Sequence, residues 1–240
     1  MRFIIMHKTN AYWESGARPT PELLARVGSL LQPLAEQGVL LAAEGLGPSS
    51  EGVRLRFSGG ACTITSGPFE GRHELPAGFS IVRAASLDDV IEDAARQAAI
   101  LGDVEIDIRP VAEPWDIGLG DKPAGVRIRR YMVLRKATPA TEAGETPTPA
   151  QRTKLASLVE QATRDGRHLV TETMRPSRRG RRYKNSRDGV AFSDGPFAET
   201  KELVGGYVVV SAASLDEAGR RAEQYIRAVE ADEVDVRELE

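Results

Sequence analysis

Ala84-Ala85-Ser86-Leu87-Asp88 and Ala212-Ala213-Ser214-Leu215-Asp216 are the same five residues, 128 positions apart. Working outward from them, the register never slips. Gly67-Pro68-Phe69 falls on Gly195-Pro196-Phe197, Glu44 on Glu172, and Pro48-Ser49 on Pro176-Ser177. Gly38 falls on Gly166, Pro19-Thr20-Pro21 on Pro147-Thr148-Pro149, Gly16 on Gly144, Glu14 on Glu142 and Lys8 on Lys136. The whole of 2–109 overlays 130–237 without a gap. Solenoid repeats run about 20–50 residues, so a period this long is a domain duplication. The copies span 1–112 and 129–240. The segment between them, 113–128, has no hydrophobic period and is punctuated by Pro114, Gly118, Gly120, Pro123 and Gly125, which marks a linker.

Each copy carries the same pattern. Phe3-Ile4-Ile5-Met6 and Tyr131-Met132-Val133-Leu134 are continuous apolar runs, as expected of a strand covered on both faces. Thr20-Pro21 and Thr148-Pro149 supply a helix cap followed by proline at the first helical position. The helix after Thr20 is amphipathic through Leu23, Leu24, Val27, Leu30, Leu31 and Leu34, and stops at Gly38. A strand follows, ending near Ala43 or Thr171. Then comes a hairpin over 53–64 or 181–192, turning at Gly59-Gly60 or Asp188-Gly189. An apolar strand lies after the Gly-Pro-Phe turn. Ser86-x-x-Asp89 and Ser214-x-x-Glu217 read as capping boxes that open a second helix. In the last strand Val104, Ile106 and Ile108 alternate with Glu105, Asp107 and Arg109, which predicts one buried and one exposed face. The fold class is therefore α+β, with two ferredoxin-like βαββαβ domains, each with an inserted hairpin. Each copy is expected to fold as one unit.

Lys and Arg number 32 against 35 Asp and Glu, a net charge of −3, so no global polycation points to nucleic acid or a membrane. No apolar run approaches the ~20 residues of a membrane-spanning helix. The apolar stretch after Met1-Arg2 is too short for a signal peptide, which predicts a cytoplasmic protein. Cys62 has no intrachain partner. His7, His73 and His168 have no metal-ligand spacing, so neither a metal nor a cofactor is expected. His7 and His73 each occur in one copy only, as structural or solvated histidines do. Gly45-Leu46-Gly47 and Gly205-Gly206 do not have phosphate-loop spacing.

The stretch Asp194-Gly195-Pro196-Phe197-Ala198-Glu199-Thr200-Lys201-Glu202 resembles, letter for letter, the DGPFAETKE signature of the YCII-related family. Lys136-Ala137-Thr138-Pro139, Glu44-Gly45-Leu46 and Pro48-Ser49-Ser50 are similar to the same family, and the resemblance covers nearly all of both copies. It implies a tandem YCII-related protein whose two copies pair as an intrachain dimeric α+β barrel. It also implies small-molecule binding, with cofactor-free catalysis as one form of that role. The alternative is a non-enzymatic regulatory or interaction protein linked to a sigma factor or to nucleic acid. Some relatives use a histidine on the first helix with an aspartate. Here the matching positions lie near Val27 and Leu155, and neither helix has a histidine. The aspartate survives as Asp194, where copy one has Ser66.

The candidate ligand-binding residues are Lys8, Glu44 and Ser49 from copy one and Asp194, Glu199 and Lys201 from copy two. They suggest one asymmetric site per chain, because neither copy retains both charged segments. The turn-forming role of Asp194-Gly195-Pro196 is the competing reading. The run from Arg175 to Arg187, which includes Arg178, Arg179, Arg181 and Arg182, has seven basic residues and no acidic one. It reads as a solvated loop or as a local patch for anions or nucleic acid, with Tyr183 its one aromatic.

Overall fold

The computed structural model describes residues 1–71, 74–197 and 203–240. Copy one contains β1 (Arg2–Lys8), α1 (Ala11–Glu14), α2 (Pro21–Glu36), β2 (Leu40–Gly45), β3 (Val53–Ser58), β4 (Ala61–Ser66), β5 (Pro76–Ala84), α3 (Leu87–Leu101) and β6 (Val104–Pro110). Copy two repeats them as β7 (Arg129–Lys136), α4 (Pro139–Ala143), α5 (Pro149–Arg164), β8 (His168–Thr173), β9 (Arg181–Ser186), β10 (Gly189–Asp194), β11 (Val204–Ser211), α6 (Leu215–Ala228) and β12 (Glu233–Glu238). The caps are those the sequence predicts, except that Glu217 accepts from the Ala213 N–H instead of closing the box on Ser214. Thr20 and Thr148 accept from the backbone of Leu23 and Gln151, and Ser86 and Asp89 form the reciprocal box. Pro33 does not end α2. No helix among the described residues is long and apolar enough to cross a membrane.

Two six-stranded antiparallel sheets result, ordered β10-β9-β12-β1-β11-β2 and β4-β3-β6-β7-β5-β8. Inside each, four strands keep ferredoxin-like order, and the hairpin β9–β10 or β3–β4 extends one edge. The expectation that each copy folds as one unit is revised by this pairing: each sheet draws strands from both copies. In the first, β1 lies between β11 and β12; in the second, β7 lies between β5 and β6. The opening strands of the two copies have exchanged places, together with β2 and β8. The cause is local. Both opening strands carry four continuous apolar residues and suit either slot, while β6 and β7 are joined by residues 111–128. Pairing them, Ile106 with Arg135 through Pro110 with Tyr131, closes a short antiparallel loop.

The sheets face each other. Ile4, Met6, Tyr207 and Val209 of the first pack against Phe79, Ile81, Met132 and Leu134 of the second. Backbone bridges join them at both edges, Leu46 to Val111 and Met174 to Leu239. The outer face of the first sheet is covered by α6, with α2 over its edge, and that of the second by α3. The predicted exposed face of the last strand is therefore corrected, because Asp107, Arg109, Asp235 and Arg237 are buried by the opposite sheet.

That burial requires compensation for charge. Lys8 reaches Asp235 at 2.9 Å, and Lys136 reaches Asp107 at 3.0 Å, so each pair joins opposite copies. Arg182 and Arg54 clamp the same aspartates bidentately. Phe197 and Phe69 of the Gly-Pro-Phe turns lie against those guanidinium groups at 4.7 Å. Burial raises the Asp235 carboxyl, but Lys8 and Arg182 outweigh it and hold it below its ordinary range. Arg109 donates to the carbonyls of Gly47 and Val204 and to Glu14, stitching one sheet to the other, and Arg237 repeats the stitch on Arg175, Pro76 and Glu142. The turn glycines are required by contact: a Cβ on Gly67 or Gly195 would lie 1.8 or 1.9 Å from the carbonyl oxygen of Ser49 or Ser177.

Asp235→Ala is expected to lower stability by about 3–5 kcal/mol, because Lys8 is left buried without its carboxylate and Arg182 loses its bidentate one. Urea denaturation measures it, and a loss under about 1 kcal/mol would contradict the account. The exchange of strands makes a second prediction. A chain cut within 113–128 is expected to copurify as a one-to-one complex of its halves, whereas two stable monomers that never associate would refute the exchange.

Candidate functional site

A cavity of about 650 Å³ opens where α2 stands off the first sheet. Leu23, Leu24, Val27 and Leu31 face it from the helix, none of them fully buried. The strands beneath contribute Ala43, Gly45, Gly205 and Val208, small residues that leave room. Trp13, on the single turn of α1 capped by Asn10, stands at the side. Pro114, Asp116 and Ile117 of the linker form the far wall.

His7 and Tyr225 also line this cavity. The His7 ring stacks over the backbone of Gly205 and Gly206, where a Cβ would approach it within 3.0 and 2.6 Å. Its Nδ1 is 2.9 Å from the Tyr225 hydroxyl on α6. Burial, reinforced by the charges of Arg109 and Lys8, pushes the imidazole pKa down to about 4. His7 is thus neutral at physiological pH. Burial also pushes the Tyr225 phenol up, so it keeps its proton.

At the linker end the charges compensate one another. Arg130 pairs with Glu44 and, at 3.0 Å through two nitrogens, with Glu113. Arg129 pairs with Asp116 at 2.9 Å. Burial raises the Glu44 carboxyl, partly offset by Arg130. Tyr207, directly opposite Glu44 on the neighbouring strand, is raised by burial and by that carboxylate.

Of the residues singled out from sequence, Glu44 lies on the cavity wall. Lys8 is buried against Asp235, and Ser49 is buried in a turn, its N–H donating to Glu14 and its Oγ accepting from the Phe69 N–H. Asp194 is exposed at the end of β10 and pairs with Arg181 at 2.6 Å. Glu199, Lys201 and His73 lie outside the described residues. The structure therefore brings together none of the other described candidates with Glu44. In the basic run, Arg182 is buried on Asp235, Arg181 is shared by Asp194 and Asp216, Arg179 meets Glu238 at 2.7 Å, and Arg178 donates to the Glu142 carbonyl. The reading of all four as a solvated loop is corrected, since Arg182 belongs to the inter-sheet layer.

Sequence reasoning set His7 aside as a structural or solvated histidine and passed over Tyr207 and Tyr225. The signal was available in the repeat. At the equivalent positions the other copy has Arg135, Phe79 and Gln97, so the set of one imidazole and two phenols occurs on one side only of the pseudo-symmetric chain. The Gly205-Gly206 pair that fits no phosphate loop is the seat of His7.

Two α+β halves sharing their strands across facing sheets, with a cavity under one helix, define the class. The family model for the YCII-related domain matches residues 1–112 and 129–240, and the chain belongs to that family as a tandem duplication. A search of curated proteins gave no match.

The low imidazole pKa makes a sign-definite prediction. An unfolded histidine protonates near 6.5 and the folded one near 4, so between those values the unfolded chain holds more protons. His7 should therefore withdraw stability as pH falls through this window, and His7→Phe should flatten that part of the stability profile. NMR titration should find one imidazole that stays neutral at pH 5, and a His7 resonance titrating near 6.5 would contradict it.

Proposed function

We propose that the chain is a small-molecule-binding protein and that its ligand occupies the cavity between α2 and the first sheet. The observation that carries this reading is the one-sided endowment of the cavity, with His7, Tyr207 and Tyr225 where the other copy has Arg135, Phe79 and Gln97. A volume of about 650 Å³ with apolar walls and a few polar groups is the profile of a ligand site. Glu44 and Arg130 line its linker end, where Arg130 pairs with Glu44 and with Glu113. Cofactor-free catalysis is compatible with a neutral imidazole and a carboxyl of raised pKa in one cavity. Binding of nucleic acid or a regulatory partner through the basic run draws less support, because four of its arginines are engaged by the protein itself.

Ala43→Trp tests this reading by filling the cavity from the exposed edge strand β2. Wild-type protein incubated with a metabolite extract is expected to gain thermal stability and to retain a small molecule detectable by native mass spectrometry. The variant should melt near the unliganded wild type and retain none. Equal retention by both proteins would place binding elsewhere.

A further inference from the structure

His7 has one ring nitrogen engaged and one free. Its Nδ1 meets the Tyr225 hydroxyl at 2.9 Å. Among the described residues Nε2 has no hydrogen-bond partner, and it is not among the buried unpaired polar atoms, so it is open to the cavity that His7 lines. Tyr225 decides which nitrogen carries the proton. Its hydroxyl is enclosed, with His7 as its partner, and a phenol is a better donor than acceptor. An imidazole nitrogen bearing a lone pair is the strong acceptor beside it. The hydroxyl therefore donates to Nδ1 and the ring proton resides on Nε2. The low pKa keeps the ring from taking a second proton, so this donor is neutral.

The surroundings select the rest of the ligand. Leu23, Leu24, Val27, Leu31, Val208 and Trp13 are apolar or aromatic. The arginines at the linker end are already matched, Arg130 by two carboxylates and Arg129 by Asp116 with Glu51 at 3.6 Å, and Arg18, the remaining arginine of the lining, is exposed to solvent that screens its charge, so no buried uncompensated cation awaits an anion. An uncharged molecule with an acceptor oxygen meets both conditions. Such an oxygen would find at Nε2 a fixed donor set beside apolar side chains.

We propose that His7, locked by Tyr225 in its Nε2–H form, is the hydrogen-bond donor that recognises the carbonyl oxygen of an uncharged, largely apolar ligand. This rests on the cavity reading above and adds the ligand's chemical class and the residue that reads it.

Benzophenone and diphenylmethane, which are alike in shape and differ in the carbonyl, separate the two readings, with diphenylacetate as the anionic control. Quenching of tryptophan fluorescence is expected to show benzophenone binding about tenfold more tightly than diphenylmethane, the size of one good hydrogen bond. Diphenylacetate should bind most weakly. His7→Phe keeps a ring over Gly205-Gly206 and should erase the preference by removing the donor. Tyr225→Phe should lower the preference, and NMR of the ring nitrogens should show the proton no longer confined to Nε2; this second variant decides the matter if His7→Phe does not fold. A wild type without preference, a preference that survives His7→Phe, or tightest binding of the anion overturns the donor role. If diphenylmethane binding is then still blocked by Ala43→Trp, the cavity reading stands alone. Failure of all three compounds to bind overturns both.

Discussion

The exchange of β1 and β7 between the copies is the constraint on which the rest of the molecule depends. With β1 held between β11 and β12, Lys8 meets Asp235; with β7 between β5 and β6, Lys136 meets Asp107. Each ion pair therefore joins one copy to the other. Arg109 and Arg237 add a second tie, because their guanidinium groups donate to backbone carbonyls on the facing sheet. Buried charges contribute little net stability compared with apolar packing, but they penalise any arrangement that leaves one unpaired. Sliding a sheet, or returning β1 to its own copy without its partner strand, would leave such a charge behind.

The same exchange builds the cavity. His7 comes from copy one, while the glycines beneath its ring and the tyrosine that binds it come from copy two. The wall at the linker end is composite too, since Arg130 of copy two pairs with Glu44 of copy one and with Glu113 of the linker. Duplication within one chain lets the two sides diverge, which an assembly of identical subunits does not permit. Arg2 pairs with Glu172 at 2.5 Å as Arg130 does with Glu44, so the symmetry of the copies persists in this pair while the floor differs, with His7 on one side and Arg135 on the other.

The family signature has a structural explanation in this chain. Glycine in Gly-Pro-Phe is required by the Ser49 or Ser177 carbonyl pressed against it. The phenylalanine N–H is bound by the Oγ of the same serine, and its ring lies on the arginine that clamps the buried aspartate. A motif so engaged holds the inter-sheet charge layer in place. That accounts for Ser49 and Asp194, attractive as ligand residues in the sequence, lying away from the cavity.

The sequence by itself determined the duplication, the order of strands and helices, their caps and the α+β class, because these depend on neighbours within a turn or a strand. It also placed Glu44 among the candidates, since a charge repeated at the end of an apolar strand is a local anomaly. Only the tertiary structure decided which copy each opening strand joins: two equally apolar strands fit either slot, and the choice rests on the closure of the linker. For the same reason Asp107, Arg109, Asp235 and Arg237 read as an exposed face, whereas the opposite sheet covers them. The pairing of His7 with Tyr225 spans 218 positions and is made by strand exchange and helix packing together, a long-range coincidence that no local pattern encodes.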